Sequence, residues 1–276
     1  MKANAFKRNL VIGIMILLIG VFIIPSDALA DFADGDFLNW YDTYIATPGD
    51  SAYMTRYDSG GNPDANVTST TVYGPEHGVV FHLMVNNDAE WNPAIEGPIE
   101  CVTFQIDTKS VSGWGSGQAL EILVLQNGQY FIAPWSSSAT GSSTEWHTMT
   151  LGGCQASDFF LVDITGGGDT TIHPDFSESG TSIKFGFFTG NSGYMGPYTQ
   201  RYDNWHIGAF SRGDVNRDGV IDLGDVVYLI TYLYKNGPAP DCLLAGDANC
   251  SGEVELGDVV YLITYLYKAG PPPSCK

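Results

Sequence analysis

Apolar positions along this chain fall into three patterns. The segment LGDVVYLITYLYK occurs twice, at 223–235 and 256–268. In the first copy Val226, Leu229, Ile230 and Leu233 stand at i, i+3, i+4 and i+7, the spacing that lines one face of an α-helix. Two such helices can bury these stripes against each other as the core of a small module. The other surface carries Val227, Tyr228, Tyr232 and Tyr234, with Val260, Tyr261, Tyr265 and Tyr267 as counterparts. A unit of roughly 60 residues buries only about 60% of its unfolded surface. Tyr228, Tyr232, Tyr261 and Tyr265 are therefore expected to meet a partner or the rest of the chain.

Residues 31–210 show the second pattern. No long amphipathic helix stands out, and strand-like runs recur instead: VVFHLMV, IECVTFQIDTK, LEILVL, QYFIAPW, WHTMTL, FFLVDI, IKFGFF and YDNWHI. Gly, Ser, Asn and Asp clusters separate them, and Asn127-Gly128 is the strongest hairpin signal. Strands of this number and length predict a mainly β fold, an antiparallel β-sandwich of jelly-roll type, because a lone sheet would leave an apolar face wet. The third pattern is an apolar run at 10–24, preceded by Lys2, Lys7 and Arg8 and followed by Ala28-Leu29-Ala30. This reads as a secretory signal cut after Ala30; an uncleaved membrane anchor is the alternative. The expected organisation is a signal at 1–30, a β-sandwich at 31–210 and a small α-helical module at 211–276.

An acidic loop precedes each repeated helix: DVNRDGVIDLGD at 214–225 and DANCSGEVELGD at 247–258, 33 residues apart. The first places Asp214, Asn216, Asp218, Asp222 and Asp225 at loop positions 1, 3, 5, 9 and 12, with Gly219 at position 6 and the Val220 carbonyl at position 7. That is the calcium-loop spacing: alternate residues of a tight loop point oxygens inward, and the bend at position 6 needs a residue that tolerates positive φ. The second loop offers Asp247, Asn249, Ser251, Glu255 and Asp258, with Gly252 at the bend and the Glu253 carbonyl. Ser251 replaces the carboxylate of Asp218, so the second site is expected to bind Ca2+ more weakly. Both loops end in aspartate where an EF-hand usually has glutamate.

These paired loop-helix units resemble the dockerin family, in which two half EF-hands fold around calcium and dock onto a cohesin on another protein. The resemblance covers residues 213–276 and implies that the loop residues named above are the calcium ligands. It also implies a protein partner, cohesin-like or another scaffold, which either helix could engage after a half turn of the module. Cellulosomal dockerins carry polar recognition residues where this chain has Leu223, Gly224, Ile230 and Thr231, repeated as Leu256, Gly257, Ile263 and Thr264. That departure argues against a typical cohesin partner.

Composition adds charge and redox context. The formal net charge is −19, with 31 acidic against 12 basic residues, a surface that repels nucleic acid and anionic membranes and attracts divalent cations. With the signal removed, no membrane span is expected, and the protein is placed outside the cell or at its surface. There the five cysteines can oxidise. Cys101 and Cys154 are the only pair before residue 211 and are expected to be bonded. Two of Cys242, Cys250 and Cys275 are expected to tie the C-terminal tail to the second loop, and the sequence leaves open which two.

Phrases such as FADGDFLNW, SGGNPDANV, PDFSESGTSIKFGFFTGNS and RYDNWHI resemble extracellular jelly-roll modules of the laminin-B and carbohydrate-binding type. That likeness implies a candidate structural calcium on Asp203 with Asp34 or Asp36. Sugar binding needs exposed aromatic platforms, and Trp91 and Trp114, in loop-like stretches, are the first choices. Glu96, Glu100, Asp107 and Glu121 form no recognisable glycosidase pattern, GWGSG has its glycines misplaced for a nucleophile elbow, and the histidines lack H-E-x-x-H spacing. His82 reads as a satisfied sheet residue. No active site is recognised, so the expectation is a secreted adaptor in which the sandwich binds carbohydrate or matrix and the dockerin-like module docks to a protein. The alternative is a dockerin-borne glycoside hydrolase or accessory protein of polysaccharide degradation.

Overall fold

The computed structural model describes residues 31–76, 78–112, 118–133, 143–162, 169–192 and 197–275. The signal-like segment 1–30 and Trp114 lie outside them. The strands are β1 (Asp31–Asp34), β2 (Trp40–Ala46), β3 (Ser51–Tyr57), β4 (Asn66–Val72), β5 (Val79–Trp91), β6 (Cys101–Ser112), β7 (Ala119–Gln126), β8 (Gln129–Ala133), β9 (His147–Cys154), β10 (Phe160–Leu161), β11 (Ile183–Ser192) and β12 (Tyr198–Phe210). Helical segments are α1 (Pro93–Glu96), α2 (Leu223–Lys235), α3 (Leu243–Gly246) and α4 (Leu256–Lys268). Among the described residues no helix is long and apolar enough to cross a membrane.

Two antiparallel sheets form the sandwich. One has the order β3-β4-β12-β6-β9 with β1 also on β12, and the other β10-β8-β7-β11-β5-β2. Alternation along each strand sends one side chain in and the next out. Val102, Phe104 and Ile106 of β6 enter the core, as do Leu120, Ile122 and Val124 of β7, Phe185 and Phe187 of β11 and Trp205 of β12. Trp205 is fully buried and meets Trp40 edge-on, ring centroids 4.9 Å apart. Asn127 and Gly128, both at positive φ, make the β7–β8 turn that their sequence predicts.

A polar thread crosses this core. His82 Nδ1 lies 2.8 Å from Ser69 Oγ of the opposite sheet, and His82 Nε2 lies 2.9 Å from Asp42 Oδ2. The hydrogen bond to His82, with that from Met54 N, holds the Asp42 carboxyl below the usual carboxylate range. Ser69 and His82 are fully buried, so this serine–histidine–aspartate row links the sheets where no substrate reaches the serine. The reading of His82 as a satisfied sheet residue fits that geometry.

The outer face of the second sheet is apolar as well, with Leu83, Val85, Leu123, Ile132 and Phe188 buried there. Glu121 shares that face by alternation on β7, and its Oε2 is buried with no hydrogen-bond partner. Burial pushes its carboxyl from 4.5 up to about 7. The native state therefore holds this proton more tightly than the unfolded chain does. Stability falls as pH rises through that interval and stays reduced above it. A shift of this size corresponds to about 3 kcal/mol. Glu121→Gln is expected to match the parent in thermal unfolding below about pH 4.5 and to exceed it by that amount near pH 8; parallel pH profiles for the two proteins would refute the assignment.

α2 and α4 pack through Val226, Leu229, Val259 and Leu262, with Val215 and Ala248 completing a second core. Ile230 and Leu233 from the predicted stripe are only partly buried against it. The C-terminal part is also joined to the sandwich. Cys101 is bonded to Cys242, and Cys250 to Cys275. Cys250–Cys275 ties the tail to the second loop, as expected. Cys101–Cys154 does not form: Cys154 is a buried free thiol. The reason is alternation. Cys154 lies opposite Val102 and shares its inward direction into the main core. Cys101, one residue earlier, faces the other way, into a cluster with Phe210, Cys242 and Ala245. Burial, with the Asp158 charge as a smaller cause, pushes the Cys154 thiol up to about 11, which keeps it protonated and unreactive.

Candidate calcium loops and sugar-facing surfaces

Each loop is built from local hydrogen bonds that the ligand-type residues make to the backbone. In the first, Asp225 Oδ1 accepts from Val215 N at 2.6 Å and Asn216 N at 3.1 Å, while its Oδ2 accepts from Asp222 N at 2.8 Å. Asp214 Oδ2 accepts from Gly219 N at 3.1 Å, and Asp218 Oδ1 accepts from Val220 N at 3.0 Å. Asp222 also caps α2 through Gly224 N. Arg217 and Gly219, at positions 4 and 6, adopt φ of 66° and 80°, the left-handed turns that bend the loop. Cys250 and Gly252 repeat this with φ of 61° and 93°.

The first loop fits a hard cation. Asp214 Oδ1 is buried and meets no hydrogen-bond donor, and an orphaned buried carboxylate oxygen is costly unless a cation or donor reaches it. Burial pushes the Asp214 carboxyl up to about 6, with the Asp225 charge next in weight. Asp225 is likewise raised to about 6, chiefly by burial. Acidic groups that repel one another in a buried loop lower their energy by sharing a divalent ion. Among the described residues no three His, Cys, Asp or Glu side chains converge in a metal-holding cluster.

The second loop differs in its first residue. Asp258 Oδ1 accepts from Asn249 N at 3.0 Å and its Oδ2 from Glu255 N at 2.7 Å, and Asp247 Oδ1 and Oδ2 accept from Ser251 N and Gly252 N at 2.9 and 3.0 Å. Asp247 also has a protein cation beside it. Arg212 Nη1 lies 3.6 Å from Asp247 Oδ2 and donates to the Asp247 carbonyl, while Nη2 donates to Glu100 Oε2 at 2.7 Å. Sequence reasoning missed Arg212, whose two partners are distant in the chain.

On the helix surfaces, two of the four expected tyrosines meet the rest of the chain. Tyr228 OH donates to the Ala239 carbonyl and Tyr261 OH to the Pro272 carbonyl, both at 3.3 Å. These tyrosines therefore brace their own module, and Tyr232 and Tyr265 are half-buried. More exposed are Leu223, Val227 and Tyr234, repeated as Leu256, Val260 and Tyr267.

In the sandwich, Trp91 is not a sugar platform. It is 3% exposed at the end of β5, and its Nε1 donates to the Gly97 carbonyl at 2.8 Å. Asp34, Asp36 and Asp203, the expected ligands of a structural calcium, each accept hydrogen bonds from the protein. Asp34 accepts from Asp36 N, Phe37 N, Trp40 Nε1 and Asn86 Nδ2, which occupies both oxygens. Asp36 caps Leu38 N. Asp203 is fully buried and accepts from Asn62 N and Asn204 N. Its carboxyl is raised by burial first, then by Asp107 and Asp64. Asp107 is itself satisfied by Asn62 Nδ2 at 3.0 Å, Asn204 Nδ2 at 2.8 Å and Thr148 Oγ1 at 2.5 Å.

No curated protein matches this chain. Among solved structures, a family 11 carbohydrate-binding module from Clostridium thermocellum, in complex with a β-1,3-1,4-mixed-linked tetrasaccharide, is 15% identical; the match covers 64% of this chain and 94% of that one, with a TM-score of 0.38. A family 11 module of a cellulosomal cellulase from the same organism is 14% identical over 66% and 96%, with a TM-score of 0.39. A xylan-binding domain from Paenibacillus barcinonensis is 12% identical over 64% and 92%, with a TM-score of 0.33. The C-terminal part matches a family model, described as dockerin type I domain, over residues 212–267. An antiparallel β-sandwich in this chain thus carries, at residues 212–267, a dockerin type I domain.

Proposed function

We propose that this protein is a secreted, non-catalytic adaptor. Its sandwich, residues 31–210, binds carbohydrate, and its dockerin domain, residues 211–276, binds two Ca2+ ions and docks the sandwich onto a cohesin-like or other scaffold protein. The observation that carries this reading is the pair of loop-helix units, with Asp214 Oδ1 buried and lacking a donor in the first loop. Asp214, Asn216, Asp218, the Val220 carbonyl, Asp222 and Asp225 would hold the first ion. Asp247, Asn249, Ser251, the Glu253 carbonyl, Glu255 and Asp258 would hold the second. Calcium supplies charge that offsets carboxylate repulsion and orders the loops. The exposed Leu223, Val227 and Tyr234 stripe and its copy are the surfaces offered to the scaffold. Two disulfides suit an oxidising compartment outside the cell.

Calorimetric titration of the full chain with calcium tests the reading. Two binding events are expected, the first loop tighter because Ser251 replaces a carboxylate and Arg212 opposes a cation at Asp247. Asp214→Ala should remove the tighter event and Asp247→Ala the weaker one. No binding at millimolar calcium would overturn it.

A further inference from the structure

We propose a carbohydrate-binding cleft at the junction of the two parts, between the outer face of the β1-β12-β6-β9 region and the first calcium loop, with neutral, hydroxyl-rich oligosaccharides as its ligands. The inference deepens the proposed sugar binding and rests on it. The cleft has a volume of about 860 Å³, and Gln105, Thr148, Thr150, Asn204, His206 and Arg217 are among its lining residues. Alternation explains the floor: on β6, Phe104 and Ile106 enter the core, so Gln105 and Asp107 point outward beside Thr148 and Thr150 of β9.

The chemistry of this lining selects the ligand. Amide, hydroxyl and imidazole groups both donate and accept hydrogen bonds, as sugar hydroxyls do. Asp34 and Asp241 in the lining, on a chain of net charge −19, disfavour anionic ligands. The Asp107 carboxylate accepts from Asn62 Nδ2, Asn204 Nδ2 and Thr148 Oγ1. Those bonds fix Asn204 and Thr148 in place before any ligand arrives, which lowers the ordering cost of binding. Among the described residues the outer face of the opposite sheet is instead filled by Leu83, Val85, Leu123, Ile132 and Phe188.

The dockerin side completes the cleft. Arg217, between Asn216 and Asp218 in the first loop, pairs with Asp241 at 3.1 Å and lies 5.8 Å from the Phe210 ring centroid, at the end of β12. A sugar in the cleft would therefore touch both parts of the protein.

Affinity electrophoresis of the full chain through gels containing soluble β-glucan, xylan or, as an anionic control, polygalacturonate tests this. Retention on at least one neutral polymer and not on polygalacturonate is expected. The double variant Gln105→Ala/Thr150→Ala, at solvent-exposed positions that leave the core intact, should weaken that retention about tenfold, as should Arg217→Ala. Retention by the parent that is unchanged in both variants would overturn the cleft while leaving sugar binding standing. No retention of the parent on any neutral polymer would overturn both.

Discussion

Replacing Arg212 with alanine is expected to destabilise the protein by about 3–5 kcal/mol, the cost of removing one partner from a buried ionic group. Arg212 is 5% exposed, and its guanidinium stands between Glu100 of the sandwich and Asp247 of the second calcium loop. Without it, two carboxylates remain in poorly hydrated surroundings with no cation between them. Denaturant unfolding of the full chain measures the loss. Calcium should restore part of it, because an ion at the second loop neutralises Asp247. Adding Glu100→Gln to the Arg212 variant should restore another part by removing the second stranded charge. A loss below about 1 kcal/mol would place this triad with exposed ion pairs, which contribute little.

Loss of the Cys101–Cys242 bond has the other large expected effect. It joins residues 141 apart in sequence, whereas Cys250–Cys275 joins residues 25 apart. In the chain-entropy account a cross-link stabilises by restricting the unfolded chain, more for a longer loop. The expected losses are about 5 kcal/mol for the first bond and about 3.5 kcal/mol for the second. The comparison of Cys101→Ser/Cys242→Ser with Cys250→Ser/Cys275→Ser therefore has a predicted order, read from denaturant midpoints at equal slope. The reverse order would show that the junction contributes little to the stability of the whole chain.

How much of this was readable in advance differs by element. β5, β6, β7, β9, β11 and β12 coincide with apolar runs because a sandwich buries alternate residues of each strand. β4, with the sequence NVTSTTV, was not singled out: six of its seven residues are buried, and four of those six are threonine or serine. Several of its polar side chains pair with distant residues: Ser69 with His82 and Thr189 of the opposite sheet, and Thr70 with Thr199 of the neighbouring strand. Such pairings join residues far apart in the chain and leave no local pattern. Trp91 read as a loop residue for a similar reason, since Asn92 and Pro93 announce a turn but do not reveal that the indole is the last inward residue of β5.

By itself the sequence determined what depends on short range: the two identical amphipathic helices, the oxygen spacing of the two loops with glycine at each bend, the Asn127-Gly128 hairpin and a mainly β first part. Their causes lie within a few residues, in backbone geometry and side-chain periodicity. Only the tertiary structure decided which cysteines meet, that Tyr228 and Tyr261 are spent on their own module, that Arg212 bridges Glu100 and Asp247, and that β6, β9 and the first loop enclose one polar cleft. Each of these depends on which way a side chain faces after distant strands have paired, and a one-residue change of register would reverse it.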